Sequence, residues 1–318
     1  MTVKSTLASV TTWIPSTVTP TPTPTPTPSP SYTGPLDLVP GAVVAFDQFA
    51  PSAAWLAGVN NYMVLRRDSD DDEEQFQYGG DGSAPLAAIA TWAGEANIRV
   101  KTWNDGSGNT KDATAESSVF QPKWITEQVN TQPAPFFWEG FNDESRLLTP
   151  SVSFPSHGLT LIAVVNLPAD AQPYPLCGMG FRSGDATYMH VEGMNLSDPN
   201  FQLLFSAATD SGAKEIGATS NEGAIPVFLG NPHIISISWT NGSRTLKVDG
   251  VIIAVTTLDA GGEIGTVSGV LALGANDAIS PSTDFLHGVL AALYIWNGVQ
   301  NVDAVVSLLA SKYGITLP

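Results

Sequence analysis

The residues of this 318-residue chain that could do chemistry are few and scattered. Glu139, Asp143, Glu144, Asp185 and Glu192 are carboxylates on segments that read as rims or loops. Two carboxyls about 5–5.5 Å apart would support displacement at a sugar carbon with retention, and a wider pair would support inversion. Nothing in the spacing brings two of these together, and they read as loop surface. The histidines, His157, His190, His233 and His287, form no HxH or HExxH pair and read as packing or strand-end residues. With a single cysteine, Cys177, they offer zinc no ligand set. Cys177 lies between Leu176 and Gly178 and reads as a small buried apolar residue; one cysteine also excludes an intrachain disulfide. No glycine-rich phosphate loop occurs. The run DSDDDEE, residues 68–74, invites calcium because that ion takes carboxylate oxygens. It lacks the glycine and terminal glutamate spacing of an EF-hand, so it reads as a solvated turn, with a cation site as the alternative. The sequence implies no cofactor, calcium being the one ion left open.

Sugar recognition would instead pair an aromatic face with amides and carboxylates. Trp103, Trp124, Trp138, Trp239 and Trp296 are available, although tryptophan in a β-sandwich usually serves the core. The stretch with the densest signal is VKTWNDGSGNTKDA, residues 100–113. A strand-like start ends in Trp103, and Asn104, Asp105, Gly106, Gly108 and Asn109 then make a turn-rich loop. Glycine supplies positive φ, while Asn and Asp bond nearby backbone, so a tight, shaped loop is expected. Trp103, Asn104 and Asp105 are the first candidates for a ligand-binding rim.

The elements that must position this loop read as strands. Charged residues make up 14% of the chain, against roughly 25% in an average soluble domain. With 29 glycines, 24 prolines and 43% hydrophobic residues, this composition points to an all-β domain with long loops. The net charge of −17 excludes nucleic acid held by counterion release. No apolar run of about 18 residues is present, so no membrane span is expected. The N-terminal MTVKSTLASVTTW lacks a continuous apolar core of the secretory kind, so an extracellular place would require another route, such as assembly into a particle and lysis.

Residues 1–35 read as an extended arm and 36–318 as the β domain. Trp13 and Ile14 are anchor candidates within the arm. Pro20, Pro22, Pro24, Pro26, Pro28 and Pro30 alternate with Thr and Ser, which fixes φ and removes amide donors. A polyproline II rod of roughly 30 Å follows, at ~3.1 Å per residue; it is either a plain linker or an arm that docks on a partner. Strands are expected at 42–46, 62–67, 98–103, 159–165, 177–182, 188–191, 201–206, 233–239, 244–248, 251–255, 270–273 and 288–296. Asn241-Gly242 and Asp249-Gly250 separate three alternating runs into a meander. Residues 86–92 have helical spacing with Gly94 as a stop. Residues 302–313 place Val302, Val305, Val306 and Leu309 on one helical face, with Gly314 as the cap.

The loop at 100–113 resembles the WYDQSGNGNDAT signature of concanavalin A-like, laminin-G-type jelly rolls. That signature is found in the catalytic domain of family B arabinofuranosidases and in many phage virion proteins. YMVLRRDSDDDEEQF, FQPKWI and FFWEGF follow the same pattern in order. So do HIISISWTNGSRTLKVDGVIIA, LALGAND, HGVLAALYIWNGV and ASKYGI, and the resemblance covers roughly residues 100–315. It implies a concanavalin A-like jelly-roll sandwich with a C-terminal helix. The arabinofuranosidase likeness would imply a glutamate nucleophile and an aspartate acid. Neither motif matches residue by residue, and neither role is transferred. Related modules carry a cation or ligand in the loop before the last strand, here Asn276, Asp277 and Asp284. The expectation is a non-enzymatic virion protein of a tailed phage, as decoration, head-fibre or tail-fibre component. Its arm would hold capsid or tail proteins, and its lectin-like domain would face host surface polysaccharide, with self-association of copies as an option. A glycoside hydrolase or a secreted carbohydrate-binding module is the alternative.

Overall fold

The computed structural model describes residues 32–58, 61–137, 145–154, 158–167, 175–183, 187–196, 200–209, 212–219, 230–240, 243–257, 267–275, 286 and 288–318. The arm residues Trp13, Ile14 and Pro20 to Pro30 lie outside them. The first stretch of chain forms α1 (Pro35–Leu38), β1 (Ala42–Asp47), α2 (Ala53–Ala57), β2 (Asn61–Arg67), β3 (Glu73–Gln77), α3 (Leu86–Ala93), β4 (Ile98–Trp103) and β5 (Ala113–Thr114). It continues through β6 (Lys123–Val129), β7 (Gln132–Phe137), β8 (Leu147–Leu148) and β9 (Val152–Phe154). The second stretch forms β10 (Leu159–Asn166), β11 (Pro175–Ser183), β12 (Thr187–Leu196), β13 (Asn200–Thr209), β14 (Gly212–Thr219) and β15 (Pro232–Trp239). After these come β16 (Ser243–Val248), β17 (Val251–Thr257), β18 (Val267–Leu273), β19 (Gly288–Asn297) and α4 (Asp303–Tyr313).

All the strand pairings are antiparallel. One layer runs β17-β16-β15-β10-β19-β1. The other runs β14-β13-β12-β11-β18, and β18 hands on to β8 and β9. From β8 the ladder continues through β5, β4 and β2 to β3. The main core draws Leu161, Ile237, Leu246 and Ile295 from the first layer, Leu271 and Leu273 from β18, and Met63 and Val100 from β2 and β4. A second cluster joins Ile162, Val164, Ile234, Tyr294 and Trp296 to Val305, Val306, Leu309 and Tyr313 of α4. Strands β10 and β19 are thus buried on both faces, which is why LTLIAVVN and GVLAALYIWN read as continuous apolar runs instead of alternating ones. The protein is an all-β, concanavalin A-like jelly-roll sandwich with a C-terminal helix.

The meander is present as β15, β16 and β17. Its second turn has Asp249 at φ 50° and Gly250 at φ 82°, the pair of positive values that a tight hairpin of matching twist requires. Helix α4 stops where expected, with Gly314 at φ 64° and Ile315 N–H bonded to Ala310 O. Several elements differ from the sequence reading. Strand β6 was not anticipated and begins at Lys123, after a 3-10 turn at Ser118–Phe120; Pro122 has no amide to give and accepts Val100 N–H through its carbonyl. Nor was β7, which forms over Gln132–Phe137 despite Pro133 and Pro135. The acidic run does not stay a turn throughout, because Glu73 and Glu74 pair with β2. Strand β14 was not anticipated: AKEIGAT carries neither a clear alternation nor β-branched density.

Replacing Leu309, which is fully buried between α4 and the sheet, by alanine is expected to cost about 2–5 kcal/mol in chemical denaturation. A change below about 1 kcal/mol would mean that the helix is an accessory and not a cover for β10 and β19.

Candidate functional site at the central loop

The loop after β4 is organised by one carboxylate. Asp105 accepts Ala45 N–H (2.9 Å) and Ser107 N–H (3.0 Å) on Oδ1, and Lys111 N–H (3.0 Å) and the Ser107 hydroxyl (2.8 Å) on Oδ2. Its own N–H is held by Asp112 at 2.8 Å. Gly106 N–H binds Ala45 O, and the Asn109 amide donates to Ala42 O and Val43 O. The loop therefore folds back on β1, some sixty residues earlier in the chain. Two glycines permit this for different reasons. Gly108 sits at φ +86° in open space, whereas a Cβ on Gly106 would lie 2.2 Å from Pro51 Cγ. Burial raises the Asp105 carboxyl above the ordinary carboxylate range, and the converging donors only partly oppose it.

This geometry corrects the expectation of a rim site at Trp103, Asn104 and Asp105. Trp103 is fully buried, packs on Phe46 and donates its indole N–H to Asp47 O. Asn104 is 8% exposed and accepts from Gln75 Nε2, and Asp105 is 1% exposed. Their side chains face inward and hold the frame. A turn-rich motif uses the same residue types whether its polar groups close on themselves or wait for a ligand.

Beneath the loop lies a sealed polar cluster. The Asp47 carboxylate accepts from the Tyr294 and Tyr313 hydroxyls and from Phe49 N–H, and its carbonyl accepts from Tyr78. Tyr62 donates to Gln48 and accepts from the Trp124 indole. Desolvation raises the Asp47 carboxyl, against the pull of the Lys312 charge and the tyrosine hydrogen bonds. Lys312 is itself pushed down by burial. No local pattern marks this cluster, because its members come from β1, β2, β6, β19 and α4 and from the residue after β3. With Asp47 and Gln48 at 1% or less exposure, the centre of the cluster is closed off from solvent and its polar groups are satisfied by one another.

The acidic turn is matched by basic side chains. Asp68 pairs with Arg66 (2.6 Å) and Arg99 (3.1 Å), and Asp71 also pairs with Arg66. Asp70 and Asp72 pair with Arg67 (2.7 and 3.2 Å), and Glu73 pairs with Lys101. The hydrogen bond from Arg67 holds the Asp70 carboxyl below its usual value. The Arg67 guanidinium lies 5.0 Å from the Trp92 ring centroid, and the Trp92 indole donates to Asp72. Among the described residues no group of His, Cys, Asp or Glu is arranged to hold a metal. The signal for these pairings was in the sequence: two arginines stand directly before the run.

The remaining candidates separate further. His233 is a packing residue, bonded through Nδ1 to Asp249 at 2.6 Å. Trp124, Trp239 and Trp296 are buried. Glu192 and His190 lie on β12, and Cys177 on β11. Trp138, Glu139, Asp143, Glu144, His157, Asp185, Asn276, Asp277, Asp284 and His287 lie outside the described residues. An apolar groove of about 430 Å³ between α3 and β6, lined by Leu86, Ile89, Ala93, Ile98 and Ile125, carries no carboxylate.

No protein-family model matches the sequence, and no curated protein matches it. Among solved structures, a GH54 α-L-arabinofuranosidase soaked with a cyclic sulfate inhibitor matches with a TM-score of 0.62 at 13% identity, covering 89% of this chain and 65% of that one. An arabinofuranosidase complexed with arabinofuranosyl-α-1,2-xylobiose gives the same figures. The chain thus spans somewhat less than two thirds of the length of those enzymes. A tailspike protein of bacteriophage CBA120 matches at a TM-score of 0.40 and 15% identity over 62% of this chain and 29% of that one, too loosely to define a common fold. What the first likeness defines is a class by fold, the jelly-roll sandwich that the arabinofuranosidases also use.

Two predictions follow from the loop and the cluster. Gly108→Asn is expected to leave the thermal midpoint within a few degrees of wild type, since asparagine tolerates positive φ, whereas Gly106→Asn lowers it markedly. Equal effects would contradict the contact with Pro51. For Asp47, a carboxyl raised in the folded state stabilises fully below the unfolded pKa, and that contribution is lost as pH rises through the folded value. The stability of Asp47→Asn relative to wild type, read from urea midpoints, should therefore grow as pH rises; a pH-independent difference would show that the carboxyl is not raised.

Proposed function

We propose that this chain is a structural protein of a phage virion, attached through its N-terminal Thr-Pro stretch and displaying the sandwich to surface glycans. The observation that carries the reading is how the sandwich takes hold of the chain where the arm ends. The Tyr32 hydroxyl donates to Ala50 O and accepts from Lys312, whose ammonium lies 4.2 Å from the Tyr32 ring centroid. The ring fills the space beside Gly82, where a Cβ would approach it to 2.1 Å. Asp37 then binds Gly34 N–H and Ala53 N–H, Leu36 N–H binds Pro51 O, and the Trp296 indole donates to Val39 O. Tension on the preceding residues would be passed to β19 and α4, which are among the best-buried of the described elements, as a tethered domain requires. The low charge content fits the same reading.

The second reading, a glycoside hydrolase, is favoured by the arabinofuranosidase likeness over 89% of the chain. One experiment separates the two. A protein lacking residues 1–31 should keep the wild-type melting temperature and bind neutral polysaccharide in co-sedimentation without releasing sugar. It should also fail to join particles that take up the full chain. Release of arabinose or oligosaccharide would establish the hydrolase, and normal incorporation of the truncated protein would remove the anchoring role of the arm.

A further inference from the structure

Resting on the glycan-display reading, we propose that a pocket beside the first turn of α4 binds one neutral sugar residue, such as the terminal unit of a glycan. The pocket encloses about 140 Å³, the scale of a single sugar ring. Strand register builds its floor. Thr160, Ser238 and Thr245 stand side by side across β10, β15 and β16, and one step along Ser236 stands beside Lys247. These residues share the sheet face on which Ile162, Val164 and Ile234 are covered by α4. The helix begins only at Asp303, and where its cover ends the sheet face changes from aliphatic side chains to hydroxyls.

The hydroxyls are the evidence for a ligand. Ser236 is 5% exposed and lines the pocket. Ser238 and Thr245 line it on the neighbouring positions and are half-buried. Hydroxyls gathered in one concavity can each donate and accept, to water or to the hydroxyls of a ligand. Thr160 is spent differently: it donates to Gly298 O (3.0 Å) and accepts Gln300 N–H (2.9 Å), which fixes the Gln300–Asn301 wall. Gln300 gives its amide hydrogens to Asn297 O and keeps Oε1 free to accept. Asn301 accepts Asp303 N–H through Oδ1 and keeps its amide hydrogens to donate.

Charge selects the class of ligand. Lys247 Nζ and Asp303 Oδ1 are 2.9 Å apart and cancel, so the pocket offers no surplus charge. Asp303 also occupies the positive end of the α4 dipole, where a bound anion would otherwise be stabilised. What remains is a set of groups that both donate and accept, which matches sugar hydroxyls and suits neither phosphate nor a metal ion. No aromatic platform lines the pocket, so a single sugar binds weakly. Many copies on one particle would convert weak sites into firm attachment through avidity.

The test uses the full chain. Amide chemical shifts are followed while galactose, glucose, mannose and arabinose are titrated separately, and co-sedimentation with neutral polysaccharide is measured in parallel. Saturable shifts confined to Ser236, Ser238, Thr245, Lys247 and Gln300 are expected with at least one sugar. The Ser236→Ala/Thr245→Val pair should lose at least tenfold in affinity with an unchanged melting temperature. If the variant binds polysaccharide as well as wild type, the pocket is not the site, and the display reading stands. If wild type binds neither monosaccharide nor polysaccharide, both fall. Tighter binding of inorganic phosphate than of any sugar would overturn the neutral-ligand assignment.

Discussion

The structure depends on the burial of β10 and β19 on both faces. A strand pair of this kind cannot exist in a two-layer sandwich with one wet face; every residue from Leu159 to Val165 needs a cover on one side or the other. The main core covers the odd positions and α4 covers Ile162 and Val164. The centre of the sheet is therefore completed only when α4 docks on it. The polar cluster around Asp47 locks that docking: Tyr313 from α4 and Tyr294 from β19 share one carboxylate from β1. A buried ionisable group of this sort adds little net stability, but it admits few alternative arrangements of its partners and so favours specificity over strength.

Asp105 does for the first half what Asp47 does for the second. It binds backbone amides of β1 and of its own loop, so β4 and β1 cannot shift relative to one another without stranding several donors. The two carboxylates explain why so polar a loop lies at the heart of an apolar sandwich. Both are raised by burial, and both are used as acceptors for groups the fold must satisfy rather than as reagents.

Much of the fold was legible because local rules sufficed. The Asp249-Gly250 turn, the Gly314 cap and the apolar runs of β10 and β19 each announce themselves within a dozen residues. Strand β7 was not read from the sequence: Pro133 and Pro135 argue against a strand, an objection that tertiary pairing with β6 overrides. The site was less legible for a related reason. The sequence marks Trp103, Asn104 and Asp105 as special without saying that β1 lies against them, so inward and outward roles look alike. Ser236 and Ser238 showed only as the polar half of HIISISW; their enclosure depends on where α4 starts, far along the chain.

The charge balance narrows what such a surface can hold. The chain carries −17, and several basic groups among the described residues pair with carboxylates: Arg66, Arg67, Arg99 and Lys101 with the acidic turn, Arg146 with Glu116, and Lys247 with Asp303. Anionic polysaccharides would meet a chain of like net charge, with these cations already paired. Screening over roughly 8 Å in physiological salt softens the long-range field but does not free those cations at contact. Neutral glycans pay no such penalty, and they match a pocket built from hydroxyls and amides. The same charge that keeps the displayed domain soluble therefore selects, by exclusion, the kind of surface it can grip.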